Sequence, residues 1–419
     1  MESLKIYYLQ IIFLTLIIIN HLFEIYLTRR QLTTFQKELA EVPQEFGNYL
    51  SLADHQKAIT YSSAKLRLGT LHLIFDAALL LYWFPFRGLE NLYLSIPFMD
   101  IHKEVFFLAA FSGIGFLLNL PWSVYTTFVL EEGFGFNRST PKLFILDRLK
   151  GFTLGAIIGI PLLYALIGIY LSLGTWWWIA AFLLLTLVQF LLVWIYPTWI
   201  APLFNKFKPL EGEELKTGIE KLVNSAGFAA QGVFVMDASR RSSHGNAYFT
   251  GFGKNKRVVF FDTLLSGLTT NEVLAILAHE LGHLKLKHIP KSLVLSLVLS
   301  FLGFGLMGLL SNETWFYSGH FLRIVSPGAL FLLFSQALPL YTFWFSPLLS
   351  ILSRKREFEA DAYAAKETKG SDLVHGLLKL YQQNSSPVVT DKVYSFFYHS
   401  HPPALERIKK LQSLEGKTS

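Results

Sequence analysis

The chain of 419 residues contains no cysteine. This absence excludes disulfide bonds, thiolate ligands for a metal ion and a cysteine nucleophile. Charged residues are also scarce, at 16%, where a soluble protein normally has about 25%. Hydrophobic residues make up 52% of the chain, and the mean hydropathy is +0.40. The composition therefore indicates an α-helical polytopic membrane protein with a smaller polar portion attached.

The net charge of +7 is not accompanied by the aromatic–basic pattern that nucleic-acid-binding proteins use. We therefore expect no nucleic-acid partner and read the basic loops as facing anionic membrane lipid. Seven apolar segments are long enough to span a bilayer. They cover residues 6–27, 68–86, 105–130, 151–173, 175–195, 289–310 and 326–352.

Lysine and arginine concentrate in the loops that follow the odd-numbered segments. By the positive-inside rule these loops lie in the cytoplasm, and the N-terminus lies on the opposite side. The first segment carries the polar residues Asn20, His21 and Glu24, and the second carries Asp76. Polar groups at such positions either face a protein interior or lie near the membrane surface.

The segment 270–288 predicts a largely buried helix, with Thr269 or Thr270 as its cap and Glu272 in its first turn. It contains the pattern His-Glu-x-x-His at His279 and His283. Residues four apart share a helix face, so both imidazoles can bind one metal ion. Glu280 lies about 100° around the helix, where it can hold and deprotonate a water molecule. The pattern predicts a catalytic zinc site.

A catalytic zinc needs a third protein ligand, which must be His, Asp or Glu because cysteine is absent. His288 would point to another face if the helix continues, so it is a poor candidate. Glu357 and Asp361 are four residues apart and share a helix face, whereas Glu359 falls on another side. Glu357 would complete a His2Glu set, with Asp361 accepting the outer N–H of a ligand imidazole. Without other information, a solvated charged helix explains this segment better.

HELGH followed by SRKREFEADAYA resembles the gluzincin peptidases with a Glu-x-x-x-Asp motif. These include the HtpX heat-shock proteases and the integral-membrane zinc CAAX prenyl proteases. Other stretches are similar to the second group. They are FEIYLTRRQ, EEGFGFNRST, IAPLFNKFKPLEGEEL, SSHGNAYFTGFGKNKRVVFFDTLL and YHSHPPALERI.

This resemblance implies seven helices that enclose an intramembrane chamber, with one zinc ion per chain at its cytoplasmic side. It implies that Asn246 and Ala247 lie on an edge strand that pairs with the substrate backbone. His401 and Arg407 match family positions that contact substrate, and His401 could stabilise the oxyanion. It also gives Asn20, His21, Glu24 and Asp76 a role facing the chamber.

We divide the chain into four parts by composition and motif. They are five membrane helices in 1–195, an α+β metalloprotease domain in 196–288, two membrane helices in 289–352, and a cytoplasmic segment with the third zinc ligand in 353–419. Within the protease domain we predict a helix over 213–226, a strand over 233–236 and a hairpin whose turn lies at 253–256.

The predicted function is membrane-embedded zinc endopeptidase, with Glu280 as the general base. Family members remove the C-terminal tripeptide of prenylated CAAX proteins, which makes a prenylated C-terminus the first substrate hypothesis. Two alternatives stay open: a quality-control protease for non-prenylated peptides, and an idle scaffold or transporter with structural zinc. The expected location is the endoplasmic reticulum in a eukaryote or the inner membrane in a bacterium.

Overall fold

The computed structural model describes residues 1–227, 232–250 and 257–415. Helices dominate this part of the chain, and one small sheet accompanies them. The helices are α1 (Glu2–Glu38), α2 (Leu52–Trp83), α3 (Gly88–Ser95), α4 (Asp100–Tyr125), α5 (Pro141–Ser172), α6 (Trp177–Ile195), α7 (Ala201–Phe204), α8 (Glu213–Ser225), α9 (Asp262–Leu265), α10 (Thr270–Lys285), α11 (His288–Leu310), α12 (Thr314–Gly319), α13 (Pro327–Thr342), α14 (Ser346–Glu367), α15 (Gly370–Gln383), α16 (Lys392–Tyr398) and α17 (Ala404–Glu415). The strands are β1 (Phe207–Pro209), β2 (Val233–Met236), β3 (Ala247–Thr250) and β4 (Arg257–Phe261).

Six helices in the described residues are long and apolar enough to cross a membrane, and a bent pair brings the number to seven. The pair is α2 and α3, which meet at 61°. Arg87 has a left-handed backbone at the bend, with φ of 61°. The polytopic helical fold is confirmed, but the second span is a broken helix and not the single segment 68–86 that we predicted.

The membrane helices leave most of their surface uncovered. In five of the spans only 6–22% of the most apolar window is buried. A solid bundle would bury one face of each helix, so these helices pack more loosely than a solid bundle does. A cavity of about 460 Å³ between α1, α2, α4 and α13 is lined by Asn20, His21, Glu24 and Asp76. These four residues face the helical interior, as the family resemblance implies.

The last membrane span leads directly into the polar C-terminal region. A short 3-10 turn, Phe343–Phe345, joins α13 to α14, and the apolar stretch identified as a span runs over Pro327–Glu367. We predicted a span over 326–352, with Glu357 in a cytoplasmic segment that follows it. Instead α14 begins at Ser346, within the predicted span, and carries Glu357 without a break. The rigid extension of the span therefore positions this carboxylate.

The four strands form one sheet in the order β1-β2-β4-β3. β2 and β4 are parallel, and the outer pairs are antiparallel, so β3 is an edge strand. β2 matches its predicted bounds, whereas β1 was not predicted, and the predicted turn at 253–256 lies outside the described residues. Val258 and Phe260 of β4 pack with Leu277 of α10 in one apolar cluster, which holds the sheet against that helix.

The residues at the two ends of α10 fix where this helix begins and ends. Thr269 and Glu272 form the predicted capping box, and Glu272 also lies 2.7 Å from Lys379 of α15. At the other end α10 stops at Lys285, and Lys287 adopts a left-handed backbone with φ of 57°. The next helix starts at His288. Our assumption of a helix continuing through His288 was therefore wrong.

Candidate metal centre

The centre is built where α10 crosses α14. Gly282, inside the His-Glu-x-x-His pattern, makes the crossing possible: a Cβ atom there would lie 3.1 Å from both Cα and the carbonyl oxygen of Ala360. Backbone at that distance cannot give way as a flexible side chain would. The glycine costs about 1 kcal/mol of helix stability relative to alanine. In return, the two helices come close enough for their ligands to meet.

Three side chains converge at the crossing, namely His279, His283 and Glu357, and their ligand atoms all lie within 4.8 Å of one another. The two Nε2 atoms are 3.3 Å apart. Glu357 Oε2 lies 3.5 Å from His279 Nε2, and Glu357 Oε1 lies 3.3 Å from His283 Nε2. Zinc–nitrogen bonds of about 2.0–2.1 Å in a tetrahedral site imply ligand separations of about 3.3–3.4 Å. The observed spacing fits a tetrahedral metal ion.

Glu357 gives a second test of this fit. Its side chain is only 7% exposed, and Oε2 is buried without a hydrogen-bond partner among the described residues. An unsatisfied buried carboxylate oxygen costs roughly 1–3 kcal/mol or more. A cation at the convergence point removes that cost. The donor set, two imidazoles and a carboxylate, is one that catalytic zinc sites use.

Asp361 and Arg407 hold His279 from behind. Asp361 Oδ1 lies 2.8 Å from His279 Nδ1, and Arg407 donates two hydrogen bonds to Asp361, at 2.7 and 2.6 Å. Burial alone lowers the pKa of His279, but hydrogen bonds to Asp361 and Glu357 outweigh burial and raise it. In the same way burial lowers the pKa of Arg407, and Asp361 raises it above its ordinary value. Arg407 is therefore a fixed cation.

The family resemblance implies a substrate contact for Arg407. In this structure its side chain is 7% exposed and its guanidinium faces Asp361 and His279. In this structure Arg407 acts on the metal ligands through Asp361. His401 is placed differently: its side chain is 64% exposed, and Nε2 lies 3.6 Å from Glu357 Oε1. His401 thus lies at the open side of the centre, within reach of a bound molecule.

His288 and Glu359 hold His283, and sequence reasoning missed them. His288 Nδ1 lies 3.0 Å from His283 Nδ1, and His288 Nε2 lies 2.9 Å from Glu359 Oε2. If His283 uses Nε2 for a metal, its Nδ1–H donates to His288, which in turn donates to Glu359. The available signal was the Lys-His-Ile-Pro stretch, since Pro290 favours a helix boundary that would turn His288 back.

Glu280 and the edge strand complete the site. Glu280 lines a cavity of about 330 Å³ together with His283 and Glu357. At the start of β3 the Asn246 carbonyl accepts a hydrogen bond from Phe261 N–H, whereas the Ala247 N–H turns away from β4 to the Asn246 side chain. No described strand pairs with the outer edge of β3. The edge is therefore available for another extended chain.

The fold and site together define a membrane-embedded metalloendopeptidase, with a His-Glu-x-x-His helix and a glutamate supplied from the end of the last span. Comparison with known proteins agrees. Residues 31–206 match the family described as CAAX prenyl protease N-terminal, five membrane helices, and residues 209–415 match peptidase family M48. The chain belongs to this family of membrane metallopeptidases, which confirms the resemblance drawn from its motifs.

Relatives match over nearly their whole length. A CAAX prenyl protease 1 homolog of Arabidopsis thaliana is 36% identical, with 96% of this chain and 97% of the relative covered. CAAX prenyl protease 1 of Saccharomyces cerevisiae is 35% identical over 94% and 93%. The crystal structure of S. mikatae Ste24p superposes with a TM-score of 0.89 at 34% identity, covering 96% of this chain and 99% of that one.

Proposed function

We propose that the chain is a zinc endopeptidase that cleaves near the C-terminus of prenylated proteins. The observation that carries the proposal is the Glu357 carboxylate. Its Oε2 is buried without a hydrogen-bond partner among the described residues and lies 3.5 Å from His279 Nε2, and its Oε1 lies 3.3 Å from His283 Nε2. The names of the relatives supply the substrate class. The basic loops support an active site on the cytoplasmic side, in the endoplasmic reticulum if the host is a eukaryote.

His279, His283 and Glu357 would hold one zinc ion per chain. When bound, zinc supplies Lewis acidity and lowers the pKa of water to about 7. Asp361 accepts the Nδ1–H of His279 and thereby fixes the tautomer that leaves Nε2 free for the metal. Arg407 neutralises and orients Asp361, so it is a positioning residue. We retain the four-part domain division, in which residues 353–419 complete a site begun in 196–288.

Glu280 is the proposed general base. Its carboxylate takes a proton from the attacking water and returns it to the leaving amine as the peptide bond breaks. His401 is exposed beside the centre and can donate a hydrogen bond to the oxygen on which negative charge develops. The substrate backbone pairs with β3, where Asn246 and Ala247 present the start of the free edge. This pairing holds the scissile bond in register with the metal ligands.

Two alternatives predict different behaviour. A quality-control protease would cleave prenylated and unprenylated peptides alike. An idle scaffold or transporter would keep the metal as a structural element. A structural site has no use for Glu280, which lines the cavity beside the ligands, so this residue favours an enzyme.

The test uses full-length protein in detergent, a prenylated peptide and its unprenylated twin, each with and without chelator. The wild type should cleave the prenylated peptide faster, and chelator should abolish cleavage. Glu280→Gln should keep one zinc per chain and lose at least about 100-fold in turnover, the lower range for general-base catalysis. Turnover near the wild-type rate in Glu280→Gln would refute the assignment, and equal cleavage of the twins would support the quality-control function.

A further inference from the structure

A second cavity opens beside the metal centre. It has a volume of about 420 Å³, within the range of about 300–1,000 Å³ typical of ligand pockets. Segments 384–390 and 398–404 form much of its wall, and α1 and α2 close it. His401 lines this cavity and also lies 3.6 Å from Glu357 Oε1. His401 therefore lies between the cavity and the site where the peptide bond would be cleaved.

The described residues that line the cavity carry positive but no negative charge. None of the described residues that line the cavity is acidic, whereas Lys65 of α2 is exposed there and two histidines accompany it. The Lys65 ammonium lies 4.8 Å from the centre of the Tyr61 ring, and it forms no ion pair among the described residues. The nearby Glu131 carboxylate interacts electrostatically with Lys65, but it accepts a hydrogen bond from the Tyr61 hydroxyl at 2.6 Å and does not line the cavity. Such a cavity suits an anion.

The position of the cavity relative to β3 identifies which anion. Asn384 lines the cavity and forms two hydrogen bonds with the backbone of Gly245, while the Tyr61 hydroxyl lies 3.4 Å from His244 Nε2. Gly245 and His244 come just before β3, so the cavity lies at the N-terminal end of that strand. A peptide paired antiparallel to β3 directs its own C-terminal end there. The α-carboxylate is the negative charge that every free C-terminus carries.

We propose that Lys65 receives the α-carboxylate of the substrate in this cavity and makes the enzyme cleave a peptide with a charged C-terminus faster than the same peptide with a neutral end. The inference rests on the proposed function and adds a specificity-determining residue to it. Lys65 is exposed and lies just before the apolar segment that begins at residue 68.

The experiment compares two prenylated peptides of one sequence, one ending in a carboxylate and the other in an amide, with full-length protein. A hydrogen bond to a charged group contributes enough for an acid-to-amide ratio in kcat/KM of about tenfold or more in the wild type. Lys65→Gln should bring the ratio close to one, Lys65→Glu should invert it, and Lys65→Arg should retain it. Zinc content and melting temperature report whether each variant is folded.

Lys57→Gln is the matched control. Lys57 lies on the same helix, about two turns before Lys65, contacts the Phe136 ring and does not line the cavity. The Lys57→Gln variant removes the same positive charge as Lys65→Gln and should leave the acid-to-amide ratio in kcat/KM unchanged. An acid-to-amide ratio in kcat/KM near one in the wild type, or an unchanged ratio in Lys65→Gln, overturns the inference about Lys65. Cleavage of both peptides in that case still upholds the proposed function. If the wild type cleaves neither peptide, the proposed function and the inference both fail.

Discussion

The two ligand imidazoles are held by partners of opposite character. Behind His279, Asp361 and Arg407 form an ion pair whose side chains are 1% and 7% exposed. Behind His283 comes a second histidine, His288, and then Glu359, which is 41% exposed. The first support, Asp361 with Arg407, is buried and charged. The second support, His288 with Glu359, consists of a buried neutral ring and an exposed carboxylate.

The two supports therefore differ in how much they contribute to the stability of the fold. A buried ion pair is costly to break, because removing one partner leaves the other charge unpaired in a medium that solvates it poorly. Asp361 and Arg407 therefore contribute to folding as well as to ligand orientation. Water can replace an exposed carboxylate, so Glu359 has little influence on folding. The predictions below test this contrast.

The largest effect is expected for Asp361→Ala, which leaves the Arg407 charge buried without its hydrogen-bonded partner and with only Glu357, at 3.9 Å, as a counter-charge. The free energy of unfolding should fall by about 3–5 kcal/mol, as measured by thermal or denaturant unfolding. The double variant Asp361→Leu with Arg407→Met removes both charges and should recover most of that stability. It should not recover zinc affinity. If the single and double variants were equally unstable, the charge would not be the cause.

His288→Leu comes next. This substitution removes the acceptor for His283 Nδ1–H, so that no hydrogen bond fixes the orientation of the His283 ring. Loss of an outer partner of this kind typically lowers metal affinity by about 10–100-fold. Competition with a chelator of known affinity would measure the loss. Affinity equal to the wild type would mean that His283 needs no partner to bind the metal.

Glu359→Gln should change zinc affinity by less than about threefold, because the carboxylate is largely solvated and an amide oxygen still accepts from His288. The same competition assay applies. A loss as large as that of His288→Leu would erase the distinction between the buried and the exposed support.

The smaller of the two effects on the free energy of unfolding concerns Glu272, at the start of α10 and outside both supports. Burial raises its pKa, but hydrogen bonds from Lys379 and the Thr269 backbone outweigh burial and lower it. A lowered pKa stabilises the fold above the ordinary glutamate pKa, and this stabilisation is lost as pH falls. Glu272→Gln should cost about 1 kcal/mol at pH 7. The difference from wild type should shrink below about pH 4, and a difference that grows on acidification would contradict this sign.

Local signals were sufficient for α10, because the cap at Thr269 and the pattern at His279 and His283 depend on neighbours within a few residues. The supports were harder to predict. Glu357 and Asp361 lie about 80 residues downstream, and only the resemblance to a known family joined them to the histidines. His288 was missed because its orientation depends on one left-handed residue, Lys287. A periodic pattern cannot report such a break.

The membrane part shows the same division between local and long-range information. Hydropathy predicted the six spans found in the described residues and the region of the bent pair that can make a seventh, since it depends only on local composition. It did not find the bend at Arg87, nor the way α14 extends the last span. The bend depends on a close approach between the end of α2 and the start of α3, which hydropathy does not report: a Cβ atom at Gly88, the next residue, would lie 2.7 Å from the Tyr82 ring. The edge position of β3 also escaped sequence reasoning from pattern alone, because strand order follows from packing on α10.

The central claim is that Glu357, delivered by the last membrane span, completes the metal centre. Elemental analysis of two purified variants, Glu357→Ala and Glu359→Ala, tests it most directly, because the two residues lie two positions apart on α14. We expect Glu359→Ala to retain one zinc per chain and Glu357→Ala to lose most of it. Equal zinc in the two variants would show that Glu357 is not the third ligand.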